Sequence, residues 1–144
     1  MSPRSRTPHP VRERLPVGLL DTSVLISLED VSVEDLPQEL AVSAVTMAEL
    51  AAGPAATLDA AERARRQDRL QRAEATFDPL PFGIEAARAY GRVYAAVVEV
   101  GRQPRRRLAD LLIAGVAVSE GLPLVTRNAA DFAELTDLLT LVEI

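Results

Sequence analysis

Short apolar runs alternate along this chain with longer segments that have helical spacing. Four uncharged runs are typical of strands buried in a parallel sheet, at residues 17–20, 40–43, 123–126 and 139–142. Helical spacing covers residues 24–28, 47–52, 57–76, 83–100 and 108–118, and a short helix is predicted to end at 135. Alternating strands and helices predict an α/β fold in three layers, with a mainly parallel central sheet flanked by helices.

Capping and breaking residues set the predicted ends of these elements. The cluster Asp21-Thr22-Ser23 caps the first helix. Thr46 is predicted to cap the second helix, which Gly53-Pro54 stops. Residues 77–82 contain two prolines and predict either a short edge strand or an extended link.

The first residues differ in composition from the rest of the chain. Residues 1–16 are rich in Pro and Arg and predict a flexible leader, and residues 17–144 predict one domain. Residues 1–14 carry a net charge of +3, against −5 for the whole chain. A net negative charge argues against nucleic-acid binding through a basic surface, but not against an enzyme that meets phosphate through bound metal.

Several function classes are excluded because their residues are missing. The chain has no Cys, which excludes disulfides, thiolate zinc sites and Cys nucleophiles and suits a cytoplasmic location. All 16 cationic side chains are Arg, so the phosphate-loop and Schiff-base lysines are absent. The single His, His9, lies in the leader. No apolar run is long enough to span a membrane, and no secretory signal begins the chain. Only carboxylates remain as candidate catalysts.

Four carboxylates follow predicted strands or open a buried helix. Asp21 ends the first strand, Glu49 lies in the helix after the second, Asp110 opens the apolar helix at 108–118, and Asp131 follows the third strand. Ligands of open α/β sheets bind at the carboxyl ends of the strands, so these acids are expected to converge. Asp21, Glu49 and Asp110 are each the only charge in an apolar segment. A buried carboxylate needs a compensating cation, which is either an Arg or a metal.

Oxygen-only ligation favours Mg²⁺ or Mn²⁺, ions that promote phosphodiester hydrolysis. Structural interpretations remain open for each acid. Asp21 and Asp131 are also suited to capping helices, Asp110 to a first helical turn, and Glu49 to a solvent-facing helix position. The joint placement of the four acids at strand exits favours a metal site over four separate structural roles.

These residues together resemble a known pattern. The pattern consists of four segments: Leu20-Asp21-Thr22-Ser23, Ala48-Glu49-Leu50, Ala109-Asp110-Leu111-Leu112-Ile113-Ala114, and Thr126-Arg127-Asn128 with Asp131-Phe132. Together they resemble the motifs of PIN-domain ribonucleases, in particular VapC-type toxins of toxin–antitoxin pairs. The resemblance covers residues 17–144. It implies a PIN-like fold, an Mg²⁺ or Mn²⁺ site of four acids, endoribonuclease activity, an RNA substrate, a cognate antitoxin and a homodimer.

The resemblance also implies supporting roles for four polar residues. Thr126 and Asn128 match a pair that holds water or an acid, and Thr22 and Ser23 are expected to support the metal ligands. Arg105, Arg106, Arg107 and Arg127 are candidate RNA-phosphate contacts, with solvated loop charges as the alternative. Part of residues 93–100 is apolar enough to face a second subunit, although core packing explains it equally well.

Two other catalytic folds fail on specific residues. A phosphoacceptor response-regulator domain needs a Lys, and a haloacid-dehalogenase-type phosphatase needs a second Asp where Ser23 stands. The remaining alternative is a non-catalytic interaction module on the same fold, which binds metal or a partner protein without turnover.

Overall fold

The computed structural model describes residues 13–144, and each apolar run named above forms a strand within one residue or two of its predicted ends. The elements are β1 (Val17–Leu20), α1 (Thr22–Ile26), β2 (Glu39–Val42), α2 (Ala44–Ala52), α3 (Ala60–Thr76), α4 (Ile84–Glu99), α5 (Leu108–Glu120), β3 (Leu124–Thr126) and β4 (Leu141–Glu143). Short 3₁₀ helices lie at Leu28–Asp30, Val33–Asp35, Pro54–Ala56, Pro104–Arg107 and Ala129–Leu135. Within the described residues, no helix combines the length and apolar composition needed to cross a membrane.

The strands form one sheet in the order β2-β1-β3-β4, and every neighbouring pair is parallel. Leu20 pairs with Val42 of β2 on one side and with Val125 of β3 on the other. The carboxyl ends of the two central strands therefore lie side by side at one edge of the sheet, as the strand–helix alternation predicted.

Helices cover both faces of this sheet because successive strand residues point to opposite sides. Leu19 and Leu20 are both fully buried, in separate cores. Leu19 packs in the core built with α4 and α5, and Leu20 in the core built with α1, α2 and α3. The three-layer α/β prediction is confirmed.

The start of α2 differs from the prediction. Ser43, not Thr46, caps the helix, and its side chain accepts a hydrogen bond from the Val45 amide at 3.0 Å. The helix begins as soon as β2 ends, which leaves Thr46 inside the helix and fully buried. The second strand is also less buried than predicted, since it lies at the sheet edge and only Val42 is buried.

Residues 77–82 form the extended link, with one parallel bridge between Ser43 and Leu80. Leu80 donates from its amide to the Val42 carbonyl at 2.8 Å, and the Leu80 carbonyl accepts from the Ala44 amide at 2.8 Å. This bridge pairs backbone groups at the end of edge strand β2 that would otherwise lack a partner in the sheet.

The predicted leader lies largely outside the described residues. In the part that the structure describes, Arg14 donates to the carbonyls of Leu36 and Pro37 at 2.9 Å each. The Pro16 carbonyl accepts from the Glu39 amide at 3.0 Å. Contacts with the domain thus begin before Val17.

Helix α4 divides its apolar residues between two faces. Val93 and Val97 are fully buried in the core with α5, whereas Tyr94 and Val98 remain 47% and 48% exposed. Core packing therefore accounts for only part of the apolar pattern at residues 93–100, and an exposed apolar face remains.

Two glycines provide a matched test of the packing. A Cβ at Gly18 in β1 would lie 2.7 Å from Pro37 Cγ and 2.9 Å from Val125 Cγ2, so Gly18→Ala forces the core to shift. We expect a loss of about 1–3 kcal/mol in the free energy of unfolding. Gly91 in α4 has open space around it, and Gly91→Ala should stabilise the protein by about 0.5–1 kcal/mol.

Chemical denaturation of both variants measures these changes. Equal stability of Gly18→Ala and wild type would contradict the close packing of β1 against Pro37.

Candidate active site

The four predicted acids lie around the sheet edge where β1 and β3 end, with Asp110 as their common neighbour. Burial raises the pKa of Asp110 above its usual range, and the charges of Glu49 and Asp21 raise it further. Asp131 also acts to raise this pKa, while Arg107 opposes the rise. Each of the other three acids thus lies close enough to interact electrostatically with Asp110.

Asp21 is held by the helix that follows it. It caps α1, and its Oδ1 accepts hydrogen bonds from the Val24 amide at 3.0 Å and from Ser23 Oγ at 2.7 Å. The side chain is therefore fixed, and the residue is only 4% exposed. The capping interpretation is confirmed and leaves Oδ2 without a hydrogen bond from residues 13–144.

Two threonine hydroxyls support Glu49. Thr22 Oγ1 donates to Glu49 Oε1 at 2.5 Å, and Thr22 and Thr46 hydroxyls lie 3.0 Å apart. A hydroxyl has one hydrogen, and that of Thr22 is committed to the carboxylate, so Thr46 is the donor to Thr22. A buried relay from Thr46 through Thr22 therefore holds an acid that stands on the exposed side of α2.

A polar turn after β3 supports Asp131. Asn128 Nδ2 donates to Asp131 Oδ2 at 2.8 Å, and Thr126 Oγ1 accepts from the Asn128 amide at 3.1 Å. Asp131 lies inside the 3₁₀ helix Ala129–Leu135 and does not cap a helix starting at Phe132. Thr126 fixes the turn and Asn128 fixes the acid.

Arg107 forms an ion pair with Glu134, which is not one of the four acids. It binds Glu134 Oε1 at 2.7 Å, and Arg102 binds Glu134 Oε2 at 3.3 Å. The Glu134 side chain is only 3% exposed, and the Arg107 guanidinium stands 5.9 Å from the centre of the Phe132 ring. Arg107 Nη1 is buried without a hydrogen-bond partner in the described part of the chain.

The other candidate RNA contacts have a different environment. Arg105, Arg106 and Arg127 are exposed, and their side chains make no ion pair with any residue from 13 to 144. They are free to meet a ligand, whereas Arg107 is already engaged by Glu134.

Three supporting residues were not found from the sequence: Thr46 in this role, Arg102 and Glu134. Thr46 carried a usable signal, because it precedes Glu49 by three residues and so shares its helix face. Glu134 carried none, since it is one acid among many and its partners are distant in the chain.

The donor set fits a hard divalent cation. Each of the four acids keeps at least one carboxylate oxygen that accepts no hydrogen bond from the described residues, and these oxygens suit Mg²⁺ or Mn²⁺. Within residues 13–144, no three acids are close enough as they stand to form a ready-made metal site. The serine, threonine and asparagine donors hold three of the carboxylates individually.

Comparison with known proteins adds an independent line of observation. The sequence profile of the PIN domain matches residues 18–138. Ribonuclease VapC5 of Mycobacterium tuberculosis is 40% identical over 121 residues, which span 82% of this chain and 87% of that protein. Ribonuclease VapC of Rickettsia bellii is 27% identical over 128 residues, which span 83% of this chain and 91% of that protein.

Solved structures share the fold. A crystal structure of VapBC-5, a member of the VapBC family of toxin–antitoxin systems from Mycobacterium tuberculosis, matches with a TM-score of 0.78 and 34% identity. The match covers 90% of this chain and 99% of that chain. VapBC-1 from nontypeable Haemophilus influenzae matches with a TM-score of 0.69 and 24% identity over 88% of this chain and 97% of that chain, a likeness of fold.

The raised pKa of Asp110 predicts a gain in stability when its charge is removed. A carboxyl with a higher pKa in the folded chain destabilises the fold when ionised, so Asp110→Asn should raise the Tm in chelator at neutral pH. The gain should disappear as the pH falls and wild-type Asp110 takes up a proton. Differential scanning calorimetry measures it, with Asp78→Asn, an exposed acid, as control.

A lower Tm of Asp110→Asn would contradict this prediction. It would mean that the favourable position of Asp110 in the first turn of α5 outweighs repulsion by the other acids.

Proposed function

Because this chain belongs to the PIN-domain family and is related to the VapC ribonucleases, we propose that it is the toxin of a toxin–antitoxin pair and hydrolyses RNA phosphodiester bonds. The observation that carries the proposal is the placement of Asp21, Glu49 and Asp131 within electrostatic range of Asp110, whose pKa is raised first by burial and then by their charges. The nuclease unit is residues 17–144, and the enzyme is an endoribonuclease.

Divalent-metal dependence is part of this proposal. Asp21, Glu49, Asp110 and Asp131 would hold Mg²⁺ or Mn²⁺, since their free oxygens are the ligands that these cations prefer. When bound, such a cation lowers the pKa of a water ligand and offsets the charge of the phosphate. A cation held by these acids would also offset the repulsion between Asp110 and the neighbouring carboxylates.

The chain's own residues orient these ligands. Ser23 and the Val24 amide fix Asp21, Thr22 fixes Glu49, and Asn128 fixes Asp131. Within residues 13–144, the other oxygen of each of these carboxylates accepts no hydrogen bond. Thr22, Ser23, Thr126 and Asn128 therefore support the ligands, as such donors do at other metal sites.

Basic side chains near the site are proposed to meet the RNA. Arg105, Arg106 and Arg127 are exposed and without ion pairs in residues 13–144, which suits bidentate phosphate contacts. Arg107 is better suited to a local role, because it is bound to Glu134 and lowers the pKa of Asp110.

A cognate antitoxin is the proposed protein partner. The related chain from Mycobacterium tuberculosis belongs to a VapBC toxin–antitoxin system, and the present chain covers nearly all of it. A homodimer remains a prediction, for which the exposed Tyr94 and Val98 on α4 provide an apolar surface.

Cleavage of total cellular RNA by the purified protein tests the proposal. We expect cleavage with Mg²⁺ or Mn²⁺ and none with chelator. The cleavage rates of Asp21→Asn and Asp110→Asn should be lower than that of wild type by a factor of roughly 100 or more. Asn also caps helices well, so Asp21→Asn should keep α1. Asp78→Asn is the control: it removes an exposed charge that is not among those acting on Asp110, and the variant should cut like wild type.

Uncut RNA from a folded, antitoxin-free wild type would refute the nuclease. The non-catalytic interaction module would then be the better interpretation, in which the same acids bind metal or a partner protein.

The threonine relay predicts a graded loss of metal affinity. Thr46→Val keeps the volume but removes the donor to Thr22, so Glu49 is less firmly held, and Mn²⁺ affinity should fall about 10-fold. Thr46→Ser keeps the hydroxyl and should bind Mn²⁺ nearly as wild type does. Calorimetric titration of both variants makes the comparison, and equal affinities for the two would rule out a role for the hydroxyl.

A further inference from the structure

Helix α3 carries five arginines, and four are held by acceptors nearby. Arg65 and Arg66 bind Glu62, Arg72 binds Glu29 and Asp68, and Arg63 donates to the carbonyls of Pro54 and Thr57. The fifth, Arg69, makes no hydrogen bond or ion pair with any residue from 13 to 144. The residues three and four positions before and after Arg69 share its helix face, and they are Arg65, Arg66, Arg72 and Ala73. None of them is acidic, so this face of α3 provides no ion-pair partner for Arg69.

Arg69 is not a fully solvated side chain. It is half-buried and forms a wall shared by two cavities. The smaller cavity has a volume of about 350 Å³ and is also lined by Thr22, Glu49 and Arg66. The larger, of about 590 Å³, continues between α1, β2 and the end of α3, past Leu25 and Phe77. Arg69 thus lies between the cavity that reaches Glu49 and the larger cavity beside it.

We propose that Arg69 binds a phosphate of the RNA strand next to the one that is cleaved. A planar guanidinium matches two phosphate oxygens, and that of Arg69 has no counter-ion among residues 13–144. The cavity that it lines is also lined by Glu49. Arg66 lines the same cavity but is committed to Glu62 and to the Gly53 carbonyl. Arg69 is therefore the cation of this cavity that remains available for an anion.

An RNA strand fits these features better than an acidic protein segment does. The proposed reaction, on which this inference rests, already places one phosphate at the four acids, and successive phosphates of a single strand follow at regular spacing. The groove from Glu49 to Arg69 gives the next phosphate a place with a cation. A packing role for the Arg69 stem alone would not require a free guanidinium.

Binding of a short fluorescein-labelled single-stranded RNA of random sequence tests the proposal, in an Asp110→Asn background to prevent cleavage. Arg69→Gln should weaken binding about 5- to 10-fold, and the slope of log K against log salt should decrease by about 0.7, the value for one single-strand phosphate contact. Arg69→Lys should retain the slope and part of the affinity. Arg92→Gln is the matched control, since Arg92 is exposed on α4 and without an ion pair in the described residues.

Several outcomes would overturn the proposal. The first is an RNA affinity and a salt slope of Arg69→Gln that equal those of wild type. The second is a loss of RNA affinity in Arg92→Gln as large as that in Arg69→Gln. The third is a loss of affinity in Arg69→Gln for poly-glutamate but not for RNA. The last outcome would assign the groove to an acidic protein segment.

A cleavage assay separates this proposal from the one on which it rests. Equal rates of metal-dependent cleavage by wild type and by Arg69→Gln would refute the proposed phosphate contact but not the proposed nuclease activity. If wild type neither binds nor cuts RNA, both proposals are refuted.

Discussion

Repulsion among carboxylates at one edge of the sheet is the constraint around which the site is organised. Asp110 is partly buried beside Glu49 and Asp21, and its raised pKa records the energetic cost of that arrangement. Ser23, Thr22 and Asn128 each donate to one acid, and Arg107 lies near enough to offset part of the charge. These donors and the nearby cation reduce the cost of placing the four acids together, and within residues 13–144 each acid keeps an oxygen that accepts no hydrogen bond.

The parallel sheet is what makes this convergence unavoidable. Central strands β1 and β3 end side by side, so the residues that follow them meet at the same edge. Helix α5 brings Asp110 there because six of its residues, Leu111 and residues 113–117, are buried where the helix packs against α4. Stability is therefore supplied by the apolar core, while Asp110, which destabilises the fold when it is ionised, lies at the candidate site.

Features fixed by local pattern could be predicted from the sequence. The strands, the long helices, the cap at Asp21 and the convergence of four acids all follow from short-range spacing and from the rule for parallel sheets. Thr46 was misassigned because a threonine before an apolar helix looks like a cap, and only the position of β2 shows that the helix begins at Ala44. Glu134 and Arg107 are 27 positions apart, and no local signal predicts their pairing.

The charge balance of α3 shows why a net charge says little about a nucleic-acid partner. A helix with acids interleaved among its arginines is typical of a solvated face, and four of its arginines do have local acceptors. The remaining arginine has arginines at three of the four neighbouring helix positions and lies beside a cavity that reaches Glu49. An acidic protein can thus place a cation that has no ion pair within residues 13–144 where a polyanion is proposed to bind, while the other arginines of α3 are held by local acceptors. Local pairing, more than the total of −5, determines where phosphate is attracted.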